Sequence, residues 1–152
     1  MTDWDAIVRE HGPLVWRTAC RLLTREADAA DCFQKTFLAA VEHGTPVENW
    51  PGFLRRVATA RALEQLRTRY RDAPRAAELP AEVAGDAPEP LALAAAGELA
   101  DALRAALARI DPVQAEVFCL VCLDGLGYQE AAGHLDITAN HAGVLLSRAK
   151  AA

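Results

Sequence analysis

No stretch of the 152 residues offers the ~18 consecutive apolar side chains that a membrane span requires, and no leader of charged, apolar and then small residues opens the chain. The expectation is a protein of the cytoplasm with no membrane partner. Strand patterns and internal repeats are missing as well, which leaves helices as the only regular element to expect. A Ser/His/Asp set, a glycine-rich phosphate loop and paired carboxylates are all lacking, so no catalytic residue is assigned and no enzyme is expected. Cysteine is sparse: Cys20, Cys32, Cys119 and Cys122 read as reduced thiols rather than a disulfide framework. Cys119 and Cys122 have C-x-x-C spacing, yet they lie in an apolar segment with no second ligand pair at metal spacing. Buried thiols are therefore expected in preference to zinc held with His134 or His141, and no metal or cofactor is assigned.

An overall excess of positive charge is also lacking, since the formal net charge is −5. That sign is wrong for a simple nucleic-acid binder, but the charge is unevenly spread. Residues 55–75 carry seven arginines against Glu64 and Asp72, whereas residues 76–136 carry eleven acids against Arg104 and Arg109. The cationic surface is confined to one segment. A chain of this kind should hold duplex DNA weakly alone and need a partner to keep it there.

What is present is helical periodicity. Residues 3–23 are amphipathic, with a kink or break expected at Gly12-Pro13. Thr24 is a candidate cap for a helix running to about His43, with Ala30, Phe33, Phe37 and Val41 as its buried stripe. After a loop to Asn49, a helix from Asn49 or Trp50 to about Arg71 places Pro51 in its first turn. Residues 72–97 contain ten alanines and four of the eight prolines, a composition that reads as a semi-flexible linker with room for a little helix near Leu91. A helix of about residues 98–110 follows, then an apolar core helix from Asp111 to Leu123, ended by Asp124-Gly125. Tyr128–Leu135, a tight turn at Asp136, and a helix from Ile137 through Val144, Leu145 and Arg148 complete a helix-turn-helix. The fold class expected is all-α, with an N-terminal helical bundle (1–71) and a C-terminal four-helix helix-turn-helix domain (98–152) joined by the flexible linker.

Several blocks resemble a known family. Asp111-Pro112-Val113-Gln114-Ala115-Glu116-Val117-Phe118, Gly125-Leu126-Gly127-Tyr128-Gln129-Glu130-Ala131-Ala132, Leu135-Asp136-Ile137-Thr138 and Ser147-Arg148-Ala149-Lys150 are similar to the fourth domain of bacterial RNA polymerase sigma factors, most of all the extracytoplasmic-function (ECF) class. Asp28-Ala29-Ala30-Asp31-Cys32-Phe33-Gln34-Lys35-Thr36-Phe37 is similar to that family's polymerase-binding helix. Trp50-Pro51-Gly52-Phe53-Leu54-Arg55-Arg56-Val57-Ala58, continuing to Leu63-Glu64-Gln65-Leu66-Arg67, is similar to its promoter-melting helix. The resemblance implies a sigma factor directing promoter-specific initiation, with both large subunits of core RNA polymerase and promoter DNA as partners. It also leaves room for an inhibitory anti-sigma factor.

On this resemblance Asp28, Asp31, Gln34 and Lys35 would bind polymerase, although Ala30 and Lys35 stand where acids are usual. His43, Asn49 and Trp50 would meet the opened promoter, where stacking offsets the cost of unpairing a base. Phe53 reads equally as core. Arg56, Arg61, Arg67, Arg69 and Arg71 offer planar donors to phosphate and guanine, against the plainer reading of a solvated helix end. In the recognition helix Thr138, Asn140, His141, Ser147, Arg148 and Lys150 would reach DNA, while Gly143 and Leu145 stand where the family has basic residues. Two rivals remain at this point: a sigma-like regulator that does not initiate transcription, and a helical interaction or redox-sensing protein acting through Cys119 and Cys122.

Overall fold

The computed structural model describes residues 3–44, 46–72 and 90–151. Most of the expected linker, residues 73–89, lies outside the described residues, as does Thr45 of the loop before Asn49. Among the described residues the chain is entirely helical: α1 (Trp4–Leu22), α2 (Glu26–Glu42), α3 (Trp50–Asp72), α4 (Pro90–Arg109), α5 (Pro112–Phe118), a π-turn (Cys119–Leu123), α6 (Tyr128–Leu135) and α7 (Ala139–Ala151).

The helix ends follow from local chemistry. Asp3 caps α1 by accepting from Ala6 N–H at 3.2 Å, and Asp111 caps α5 by accepting from the N–H groups of Val113 and Gln114. Gly125, at φ +75°, supplies the left-handed residue after the π-turn. Asp136 does the same after α6, at φ 56°. Asp and Asn are among the few side chains that tolerate this region.

Several expectations change. α1 runs through Pro13 unbroken. The proline ring faces water, and apolar residues on both sides of it pack into the core: Ile7 before, Val15 and Ala19 after. That packing outweighs the missing backbone bond. The cap position of α2 falls on Arg25 rather than Thr24. The buried face of α2 carries Phe37, as expected, among small side chains, Ala29, Cys32, Thr36 and Ala40, which let neighbouring helices approach closely. Val41 is consequently 54% exposed and does not join the stripe expected for it. α4 starts at Pro90, eight residues ahead of the expected 98, so the helix expected near Leu91 is continuous with it. The core helix after Asp111 widens into the π-turn, and Val113 and Cys122 face water rather than the core.

Three apolar clusters organise the molecule. Val15, Phe37, Ala40, Leu54 and Ala58 form the first, inside the bundle of α1, α2 and α3. Val117, Ala132, Ala142, Leu145 and Leu146 form another within the helix-turn-helix. The middle cluster is common to both halves. It combines Leu22, Leu23, Cys32, Leu63 and Leu66 of the N-terminal bundle with Leu107, Ala115 and Cys119 of the C-terminal half. Two independent modules on a tether were expected; here they are closed on each other. The reason is area: a helical unit of this size buries too little apolar surface alone, and Leu107, Ala115 and Cys119 of the C-terminal half complete the cluster that Leu63 and Leu66 begin with Leu22, Leu23 and Cys32.

Charged groups reinforce the seam. Asp124, whose side chain is only 5% exposed, accepts from Arg21 Nη2 at 2.6 Å, with Arg55 Nε at 3.9 Å. Arg21 also donates to the Leu123 carbonyl at 3.2 Å, and Arg104 Nε donates to the carbonyl of Arg21 at 3.0 Å. At the far end of the seam Gly52 meets α6: a Cβ there would collide with the His134 ring and with Asn49 Nδ2.

Candidate nucleic-acid interface

The arginines of α3 were expected to make one cationic face, and the structure divides them. Arg56, Arg61 and Arg71 are exposed, Arg61 lying 3.7 Å from Glu64. Arg69 Nη1 donates to Asp28 at 3.1 Å, so an expected DNA contact and an expected polymerase contact hold each other. Arg67 turns inward, where its Nε and Nη2 are buried without a hydrogen-bond partner. It lies close enough to Glu116 of α5 to affect that carboxyl, whose pKa burial pushes up and Arg56 and Arg67 pull back. Only part of the cationic segment is open to phosphate in this closed arrangement.

The loop before α3 and the first turn of that helix gather an aromatic group. The exposed His43 ring lies over Phe53, centroids 4.7 Å apart. Trp50 meets Phe53 edge-on at 5.9 Å, and Trp4 meets Trp50 edge-on at 5.6 Å. Trp50 and Phe53 pack against the first cluster while remaining partly exposed, so the core and stacking readings both apply to them. Trp4 was not among the expected site residues; seen from the sequence it is simply one apolar position of α1. Asn49 is exposed, but its Oδ1 is used to cap α3 by accepting from Gly52 N–H at 3.2 Å. Its amide is thus partly committed.

On α2, Asp31 and Lys35 are half-exposed and paired at 2.9 Å, one helical turn apart, with Gln34 exposed beside them. Leu38 and Val41 are exposed on the same helix, and Leu38 continues the line one turn beyond Gln34. The small residues at 29, 32, 36 and 40 were the sequence signal that could have placed both leucine and valine outside.

In the helix-turn-helix, Asn140, His141, Ser147, Arg148 and Lys150 are exposed on α7. Thr138 is exposed as well but caps α7, its Oγ1 accepting from His141 N–H at 3.0 Å. Leu145 is core, not a substitute for a basic DNA contact. Gly143 carries the Tyr128 ring against its backbone. Val144 is exposed. His134 lies against α3, and burial holds its pKa below the ordinary 6.5; Glu130 opposes this and Arg56 and Arg55 add to it.

The four thiols separate into two kinds. Cys20 and Cys122 are exposed, which corrects the expectation of a buried Cys122. Cys32 and Cys119 are buried, and burial pushes their pKa values up to about 11 and about 12. Such thiols are poor nucleophiles and poor metal ligands near neutral pH. No group of three His, Cys, Asp or Glu side chains placed to hold a metal ion occurs among the described residues.

The described residues thus form a three-helix bundle with an aromatic loop and partly open arginines, followed by a helix-turn-helix. Residues 7–72 match the family model for Sigma-70 region 2, and residues 100–152 match that for Sigma-70, region 4. The chain belongs to the sigma-70 family. It is 32% identical over 143 residues to the ECF RNA polymerase sigma factor SigE of Mycolicibacterium smegmatis, a match covering 90% of this chain. The chain spans about half (54%) of that relative's length. Two solved structures share the fold. CnrH, in complex with the cytosolic domain of CnrY, aligns with a TM-score of 0.59 at 22% identity, over 97% of this chain and 82% of that one. The sigma factor RpoE of Bartonella quintana, in complex with the anti-sigma factor NepR, aligns with a TM-score of 0.57 at 19% identity, over 99% and 93% respectively.

Proposed function

We propose that this chain is an ECF-type sigma factor that gives core RNA polymerase its promoter specificity and opens the promoter, doing no chemistry of its own. The observation carrying this reading is that one chain holds, in order, matches to Sigma-70 regions 2 and 4, each with an exposed polar or aromatic surface in the matched segment. Residues 1–71 would hold polymerase through Asp31, Gln34 and Lys35 on α2, and the proximal promoter element through His43, Asn49, Trp50 and the arginines of α3. Residues 98–152 would read the distal element with α7 and contact the flap of the second large subunit. Residues 72–97 join the two.

Arg67 can reach DNA only if the halves separate, so docking on polymerase is coupled in this proposal to opening of the seam. The work takes place in the cytoplasm; no helix among the described residues is long and apolar enough to cross a membrane. Both solved relatives were captured with a partner chain, and on that ground the proposal includes an anti-sigma partner for this one.

The test is reconstitution. Purified chain and core polymerase should form a stable holoenzyme that starts RNA synthesis at a defined site on genomic fragments. Binding to core or DNA without initiated RNA would identify a sigma-like regulator instead. Loss of activity on mutating the exposed Cys122 alone would point to thiol sensing.

A further inference from the structure

The face of α7 turned away from the core runs from Asn140 and His141 through Val144 to Ser147, Arg148 and Lys150. Polar or cationic groups occupy both ends. A β-branched apolar side chain holds the middle. Ala142, Leu145, Leu146 and Ala149 take the core side, and helical spacing then leaves Val144 outward, 40% exposed. Beside it, Tyr128 at the start of α6 is 47% exposed. Its ring lies on the bare backbone of Gly143, where a Cβ would stand 3.3 Å from Cε2 and 3.6 Å from Cδ2. Single exposed valines are ordinary. Here two large apolar groups flank one glycine at the centre of a stripe that is otherwise polar.

We propose that Val144, with Tyr128 beside it, reads a thymine methyl group in the distal promoter element. This rests on the assignment of α7 as the recognition helix. In the major groove every base pair presents hydrogen-bonding groups, and the C5-methyl of thymine is the one apolar feature among them. Valine can neither donate nor accept, so pressing it onto a donor or acceptor edge would strip that edge of water with nothing in return. A methyl group is the complementary surface. Arg148 and Lys150 at the far end of the stripe supply phosphate contacts that fix the helix in the groove without choosing a sequence.

The test uses holoenzyme reconstituted from the full chain and core polymerase, with a promoter duplex chosen by selection. Each thymine of the distal element is replaced in turn by deoxyuridine, which removes only the methyl. Binding should weaken about three- to fivefold at one position, the effect of losing one buried methyl. Val144→Ala holoenzyme should bind the unmodified duplex more weakly by a similar factor and show less than about a twofold response to the same deoxyuridine. The substitution lies at an exposed helical site and replaces valine with a better helix former, so folding is retained. Indifference of the wild type to every deoxyuridine, or full methyl sensitivity in Val144→Ala, overturns the proposal while leaving the sigma-factor reading intact. Initiation with no distal sequence preference at all would instead remove the recognition-helix assignment, and the proposal with it.

Discussion

Arg21 and Asp124 meet at 2.6 Å although 103 residues separate them in sequence. One lies at the end of the first helix and the other just after the π-turn, so their contact fastens the N-terminal half to the C-terminal half. Arg55 approaches the same carboxylate from α3. A carboxylate so poorly exposed is stabilised by these partners and is expensive to leave without them.

Asp124→Ala should lower the free energy of unfolding by about 1–3 kcal/mol, because Arg21 and Arg55 lose their shared acceptor while keeping some access to water. Arg21→Ala should cost less. In a double-mutant cycle by urea denaturation the pair should couple by about 1–2 kcal/mol. A coupling near zero would mean the contact is incidental to the seam.

Two glycine substitutions should have opposite signs. Gly52→Ala places a methyl in the space of the His134 ring and the Asn49 amide, so the chain should lose about 1–3 kcal/mol as α6 is pushed off α3. Gly143→Ala meets only the edge of a half-exposed tyrosine ring that can swing aside. Replacing a mid-helix glycine then gains up to about 1 kcal/mol of helix propensity. Thermal or urea midpoints of the two variants measure the difference.

The pH response of the seam follows from His134. Burial, helped by Arg56 and Arg55 against Glu130, holds its folded pKa below 6.5. The unfolded chain therefore takes up the proton first, and stability contributed by the neutral ring is lost as pH falls through about 6.5. Glu116 acts in the other direction at lower pH, since its folded pKa is raised by burial and protonation there favours the folded state. Denaturation at a series of pH values from about 8 down to 5.5 should show wild type losing stability relative to His134→Asn. Parallel curves would exclude a role for this histidine.

Native protein treated with an aromatic disulfide reagent should release reporter from Cys20 and Cys122 and leave Cys32 and Cys119 silent until denaturant is added. Cys20 should be the slower of the exposed pair at neutral pH, because partial burial and then Glu26 raise its pKa. Reaction of all four thiols at one rate would show that the middle cluster opens freely.

Arg67→Met should leave unfolding stability unchanged or raise it slightly, because it removes buried donors that lack partners and keeps apolar volume. The same change should weaken promoter binding by holoenzyme and lessen its salt dependence if Arg67 reaches phosphate after opening. A destabilised Arg67→Met would indicate that its attraction to Glu116 dominates in the closed form.

The helices were legible because caps and breakers announce themselves locally. Asp111 before Pro112, Gly125 after the core helix and Asp136 at the turn each act within a few residues of their own position. Faces were less legible. Val41 was assigned inward because it is apolar, whereas small residues at helical spacing decided which side of α2 touches its neighbours. Pro13 misled for a related reason: its local effect is real, but packing on both sides of it overrode the break. The joining of the halves could not be read at all. Nothing near Leu63 or Leu66 in sequence says that Leu107 and Cys119 will cover them, and the arginines among them suggested solvent and DNA instead. The aromatic loop shows the same division, with Trp50 expected and Trp4, 46 positions earlier, unseen.

The middle cluster has a mechanical corollary. Prying the halves apart takes Leu107, Ala115 and Cys119 off the cluster and exposes to water the sides of Leu22, Leu63 and Leu66 that they share. A copy released into water should snap shut, and an extended one should last only while a larger body grips both ends. On the proposed function, the polypeptide would act as a spring-loaded latch, its resting position set by oil and its working position held by its host.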